Sequence, residues 1–199
     1  MASLSDGLVQ QLLNGRYIAS LATHQAGGSI HVVAVWYWFD GAHIYVATST
    51  RTRKARNIQS NPNISLMINA RDPAASFGVN IAGTASLVTG EASKKLNLDI
   101  HRKYLSAGAL SDPRVGPVFA AWDDVTIQIV PSSVVIWDMR TADQQVFGGS
   151  FASNPGYLWH WSDSSSKRRV GYRRAYGLDT APSNSARWYV LGSIFDLLS

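Results

Sequence analysis

The chain has no cysteine in its 199 residues. That excludes disulfides, thiolate metal sites and cysteine nucleophiles, and it agrees with a cytoplasmic location. No apolar run reaches 18 residues, so no membrane-spanning helix is expected. The first residues lack the basic stretch and apolar core of a signal peptide, and none is expected. Acidic residues are few, 13 against 18 Lys and Arg, for a net charge of +5. A fold that grips nucleic acid shows a broad basic face. Here residues 1–153 carry a net +2 and residues 154–199 a net +3, so the body is nearly balanced and nucleic acid is a disfavoured partner. The five histidines, His24, His31, His43, His101 and His160, show no metal-ligand spacing, and no metal site is expected. What remains is an ordinary globular composition, 46% hydrophobic, that can bury a core.

The basic signal is local. Thr48 to Pro62 reads Thr-Ser-Thr-Arg-Thr-Arg-Lys-Ala-Arg-Asn-Ile-Gln-Ser-Asn-Pro, with Arg51, Arg53, Lys54 and Arg56 inside six positions. An apolar strand-like run, Ala42 to Ala47, precedes it, and Asn61-Pro62 stops it. Thr50 and Thr52 both suit an N-cap, so the cations fall in or near a helix's first turn. That end of a helix is already positive, and each misplaced cation costs roughly 0.3–1 kcal/mol. The arrangement makes sense with an anion present, because free N–H groups at a helix start together with Arg and Lys make a phosphate site. The alternative is a solvated basic turn.

Around this cluster the periodicity predicts mostly strands. Ser5 to Gly15 reads as a short helix, with Ser5 as cap and Leu8, Val9, Leu12 and Leu13 as its apolar stripe. Residues 16–23, 29–39 and 42–48 read as a three-stranded antiparallel meander, turned at Gly27-Gly28 and at Asp40-Gly41. A helix is predicted over 51–60, strands over 64–69 and 77–88, a helix over 91–105 and a loop over 108–117. Gly83 inside the second of those strands marks a bulge or a close approach. The last strand, 125–137, is predicted to break or bulge at Pro131. The sum is a six-stranded antiparallel β-barrel, mainly β with short helices plugging its ends. Residues 1–150 form that domain. Residues 151–199 form a C-terminal tail that is basic and aromatic, with no period that would place it in the barrel.

Several of these pieces together resemble a known family. They are Tyr17-Ile-Ala-Ser-Leu-Ala-Thr23, the Asp40-Gly41 hairpin, Arg53-Lys54-Ala55-Arg56-Asn57-Ile58-Gln59-Ser60-Asn61-Pro62-Asn63-Ile64-Ser65-Leu66, Gly83-Thr84-Ala85, and Pro131 through Trp137. The order resembles the pyridoxamine 5'-phosphate oxidase-like proteins, the FMN-binding split β-barrel flavoproteins. The resemblance implies a homodimer with the cofactor at the subunit interface and a flavin-dependent oxidoreductase acting on a small molecule. FMN is the implied cofactor; relatives that use the deazaflavin F420 or bind haem keep those two open. A flavin or haem carrier or sensor without turnover is the alternative function.

The same resemblance assigns residues. Arg53 and Lys54 correspond to the pair that binds the flavin phosphate, and Thr48 with Ser49 to the end of the preceding strand. Val33, Ala34, Val35 and Trp36 correspond to the strand supporting the isoalloxazine ring, and Trp137 to a tryptophan that contacts flavin. Arg51 and Arg56 are added from charge and spacing alone. The flavin carries the hydride chemistry, so no catalytic acid–base pair is singled out. After Trp137 the chain reads Asp138-Met139-Arg140-Thr141-Ala142-Asp143-Gln144-Gln145, without the basic Arg/His motif that holds the substrate phosphate in the oxidase itself. Pyridoxamine 5'-phosphate oxidation is therefore disfavoured.

Overall fold

The structure, a computed structural model, describes residues 2–70 and 76–154. The described residues fall into two units, 2–70 with 77–137, and 76 with 138–154. The first unit is built on seven strands: β1 (Ala19–His24), β2 (Ile30–Val35), β3 (Trp38–Phe39), β4 (Ile44–Thr48), β5 (Asn63–Ala70), β6 (Phe77–Val88) and β7 (Val125–Asp138), whose last residue belongs to the second unit. They form one curled antiparallel sheet in the order β2-β1-β5-β6-β7-β4-β3. Period-2 alternation explains most of them. Leu21, Ile64, Leu66, Ile68, Val79, Ile81, Ile127 and Ile129 point inward and are buried. Helix α1 (Gly7–Asn14) closes this core with Val9, Leu12 and Leu13. Burying one such Leu or Ile contributes roughly 1.5–3 kcal/mol.

Seven strands, with one of only two residues, sit close to the six expected. The predicted meander does not survive intact. Its long middle run splits at Trp36-Tyr37, so β2 lies at one edge of the sheet order and β3 at the other. The cause is Tyr37, which is fully buried and donates its hydroxyl to the Leu12 carbonyl. A side chain that must reach the end of α1 cannot also continue a flat edge strand. The hairpin at Asp40-Gly41 does form, with Trp38 opposite Tyr45 and Phe39 opposite Ile44. Gly41 takes φ +104°, which a side chain would disfavour.

The helices outnumber the three expected. α2 (Arg53–Ser60) and α3 (Gly90–Tyr104) match the predicted segments. The predicted loop 108–117 instead overlaps two short helices, α4 (Ala107–Ser111) and α5 (Gly116–Trp122). Ser106 caps α4 by accepting from the Ala109 N–H, and Pro117 opens α5, where a missing N–H does no harm. β7 runs unbroken through Pro131. The reason is Gly83 on β6: a Cβ there would stand 2.3 Å from the Val130 carbonyl oxygen, so the glycine lets β7 pass straight.

The second unit shows α6 (Met139–Phe147) and α7 (Ser150–Ser153) where the sequence suggested no element. Asp138 caps α6 and pairs with Arg140 through two contacts of 2.8 and 2.7 Å. Gly148 and Gly149 turn the chain with φ +60° and +76°. The buried Asp143 then accepts the Phe151 and Ala152 N–H groups at the start of α7. From residue 155 on, the predicted tail lies outside the described residues.

One packing feature makes a pH prediction. The last carbonyls of α1 are met by the Tyr37 hydroxyl and by Lys103 Nζ, which donates to the Leu13 carbonyl at 2.8 Å and lies 3.9 Å over the Tyr37 ring. Burial pulls the Lys103 amine down to about 8, from 10.5. Burial pushes the Tyr37 and Tyr104 hydroxyls well above the usual tyrosine range. Between pH 8 and 10 the unfolded Lys103 binds the extra proton, so stability rises with pH. Above pH 10 unfolded tyrosines ionise while the folded ones cannot, so stability falls. The urea midpoint of the wild type should climb and then drop across pH 8–11. Lys103→Met should abolish the climb and keep the drop.

Candidate functional site

Thr48, Ser49, Arg51, Arg53 and Lys54 come together in one turn, between the end of β4 and the start of α2. β4 delivers Thr48 at its last position, paired with Val125 of β7. Thr52 is the N-cap of α2: its side chain accepts from the Ala55 N–H, donates to the Ser49 carbonyl at 2.8 Å, and lies 2.9 Å from the Thr48 hydroxyl. The Arg51 N–H donates to the Ser49 hydroxyl, and Arg56 Nη1 donates to the Arg51 carbonyl at 2.6 Å. The turn is therefore ordered by its own hydroxyls. No acidic residue occupies the first turn of α2.

The cations differ in reach. Arg51 and Arg56 are exposed and Arg53 is half-buried, while Lys54 is only 1% exposed. α2 packs on β1 and β6. Its buried Asn57 donates to the Thr23 hydroxyl at 2.9 Å, and Thr23 reaches the His31 carbonyl of β2 at 3.5 Å. That polar chain ties the basic helix to the two strands at one edge of the sheet.

β2 is that edge. Val33 is half-buried, Ala34 exposed and Val35 buried, opposite Leu21, Ser20 and Ala19 of β1. Trp36, just past the strand, stacks on Tyr104 at 5.0 Å with 3° between planes, and on Phe119 at 5.7 Å. Trp137, near the end of β7, lies against Gly78 of β6, where a Cβ would stand 2.6 Å from its indole. The structure does not gather β2, the turn and Trp137 as neighbours in the strand order: β2 is at one edge, while β7 and β4 are near the other.

Sequence reasoning missed Asp124. It accepts the Thr50 N–H at 2.8 Å and the Thr50 hydroxyl at 2.9 Å. Partial burial pushes its carboxyl up, but those bonds and one from the Ser49 hydroxyl outweigh it and hold the carboxyl below its ordinary range. The signal was available in the register. A strand that pairs Val125 with Thr48 puts the preceding aspartate beside the residue that follows Thr48. A cleft of about 400 Å³ lies elsewhere, between α1, β3 and α3, walled by Trp38, Phe39 and Lys103; none of residues 48–56 lines it.

The outward residues of four strands make a second feature. Ile30, Val32 and Ala34 of β2 continue across Ser20, Ala22 and the neutral His24 of β1, Ser65 and Met67 of β5, and Asn80, Ala82 and Thr84 of β6. None of these is charged, and Ile30 and Val32 are 50% and 61% exposed.

A curled antiparallel sheet plugged by helices, with a basic helix start following its fourth strand, defines a split β-barrel. The chain belongs to the pyridoxamine 5'-phosphate oxidase family, whose model matches residues 6–127. Among solved structures it is similar to a conserved hypothetical protein from Mycobacterium tuberculosis, with 22% identity and a TM-score of 0.59 over 83% of this chain and 95% of that one. It is also similar to an F420 reductase, at 22% identity and a TM-score of 0.50 over 63% of this chain and 94% of that one. The haem storage protein HutZ from Vibrio cholerae shares 18% identity and a TM-score of 0.53 over 66% and 93%. At these identities the likeness shows the fold. No curated protein matches the chain. None of the described helices is long and apolar enough to cross a membrane.

Proposed function

We propose that the protein is a flavin-dependent oxidoreductase that works as a homodimer, binding FMN, or in its place the deazaflavin F420, by its phosphate at the turn 48–54. The observation that carries this is the donor set at the start of α2 in a member of this family. An Arg guanidinium and the N–H groups of a helix N-terminus are the groups that answer a phosphate with charge-assisted hydrogen bonds, and the Ser and Thr hydroxyls hold the turn that presents them. Arg53, half-buried at the first helical position, is the cation assigned to the phosphate, and the exposed Arg51 and Arg56 raise the local potential. Lys54, buried beneath the turn, acts through its field. The edge strand β2 offers backbone groups and apolar side chains to a flat ring system. The cofactor supplies hydride transfer to or from a small molecule; the protein binds, orients and shields it.

The uncharged face of β2, β1, β5 and β6 supports dimerisation through that sheet, because exposed Ile and Val without charge suit burial against a second copy. The absorption spectrum of the purified protein tests the reading. Flavin bands, or a deazaflavin band, support it. A Soret band assigns a haem-binding protein on the same fold instead. A protein that takes up none of these when supplied with them defeats the proposal.

A further inference from the structure

Asp124 stands where a carboxylate is least welcome, beside a turn that receives an anion. Like charges repel there, so its presence calls for a gain elsewhere. The gain is geometric. Asp124 takes both the N–H and the hydroxyl of Thr50, at 2.8 and 2.9 Å, and a hydrogen bond from the Ser49 hydroxyl. Ser49 in turn accepts the Arg51 N–H, so one carboxylate fixes three consecutive residues of the turn.

Asp124 is itself held from behind. His101 Nε2 lies 2.8 Å from the Asp123 carboxylate. Asn97 Nδ2 donates to the Asp123 carbonyl at 3.0 Å and reaches the Val125 carbonyl at 3.4 Å. Ser93 lies 2.8 Å from the Thr126 hydroxyl. Ser93, Asn97 and His101 are spaced by four on α3, so they share one face, and all three are buried. A buried polar stripe on a helix is costly unless every group is used. Here the whole stripe is spent on immobilising residues 123–126.

We propose that Asp124 is a positioning residue for the phosphate turn, anchored by α3 so that Ser49, Thr50 and Arg51 are ordered before the ligand arrives. This rests on the cofactor reading above. A turn ordered in advance spares the ligand the free energy of ordering it. The carboxylate never touches the ring end of the cofactor in this scheme, so its effect is confined to ligands that carry a phosphate.

Fluorescence titrations with FMN and with riboflavin, which lacks the phosphate, test this. Should the wild type take F420 instead of FMN, F420 and its phosphate-free chromophore replace the pair. Asp124→Ala should weaken FMN about tenfold, because the ligand must then order a turn that has lost its three bonds to the carboxylate, and leave riboflavin unchanged. Thr50→Val, an exposed and nearly isosteric change, should lower FMN affinity by less with the same selectivity, and it decides the matter if Asp124→Ala does not fold. Equal losses for both ligands, or no loss of FMN, overturn the positioning role and leave the proposed function standing. A wild type that binds neither FMN nor F420 overturns both.

Discussion

Arg53→Gln will lower the affinity for FMN about 10- to 100-fold and leave riboflavin binding nearly unchanged. The range follows from the value of a hydrogen bond to a charged group, roughly 1.5–3 kcal/mol, at tenfold in affinity for each 1.4. Arg53 is the first residue of α2, directly after the N-cap Thr52, and half-buried, so it carries its charge at the start of the helix. Glutamine keeps the stem and much of the polarity and removes the charge and the fork. Adding Lys54→Met should abolish FMN binding, because the potential of the turn then rests on the exposed Arg51 and Arg56 alone. Exposed cations are screened by solvent and salt, whereas a buried one is screened much less. Salt provides a second readout. The affinity that survives in Arg53→Gln should depend less steeply on ionic strength than that of the wild type, because one cation fewer acts on the phosphate. Unchanged FMN binding in the double variant, with the fold intact by circular dichroism, would remove the turn from the site.

The family block around Arg53-Lys54 was legible because local rules agree there. Thr52 caps, the apolar positions Ala55 and Ile58 turn inward, and Asn61 ends the helix. β5 and β6 were legible for the same reason, as was β7 apart from the break expected at Pro131: alternation, turn residues and length all pointed to strands. What stayed hidden depended on partners distant in sequence. Nothing local to Trp36-Tyr37 says that Tyr37 must reach the carbonyls of α1, so the split of the edge strand could not be read. Asp124 belongs to no motif in the sequence, and its role appears only once β4 and β7 are paired. The helix α5 was hidden by Pro117, which reads as loop but sits where a helix tolerates it. The burial of Ser93, Asn97 and His101 on α3 could not be read either, because polarity alone cannot separate water from a buried partner.

Gly83→Val will destabilise the protein by about 3 kcal/mol or more, the upper range for forcing extra atoms into a packed site. For a domain of this size that is a fall in Tm of roughly 6–12 °C. The clash is with backbone, which makes it hard to relieve. A Cβ at Gly83 would lie 2.3 Å from the Val130 oxygen, 3.1 Å from its carbon and 3.2 Å from Pro131 Cα. No rotamer can move those atoms, so β6 and β7 must part. Gly27→Val is the control. That glycine lies in the turn between β1 and β2, has nothing within 4 Å of its would-be Cβ and no positive φ, and should shift stability by less than about 0.5 kcal/mol. A Gly83 variant as stable as the Gly27 one would mean that the two strands do not approach as described. The consequence also reaches the site. β7 brings Asp124 to Thr50 at one end and Trp137 to Gly78 near the other, so moving it off β6 strains both contacts. In a Gly83→Ala variant mild enough to stay folded, FMN affinity should therefore fall along with Tm, although residue 83 itself lies outside the phosphate turn.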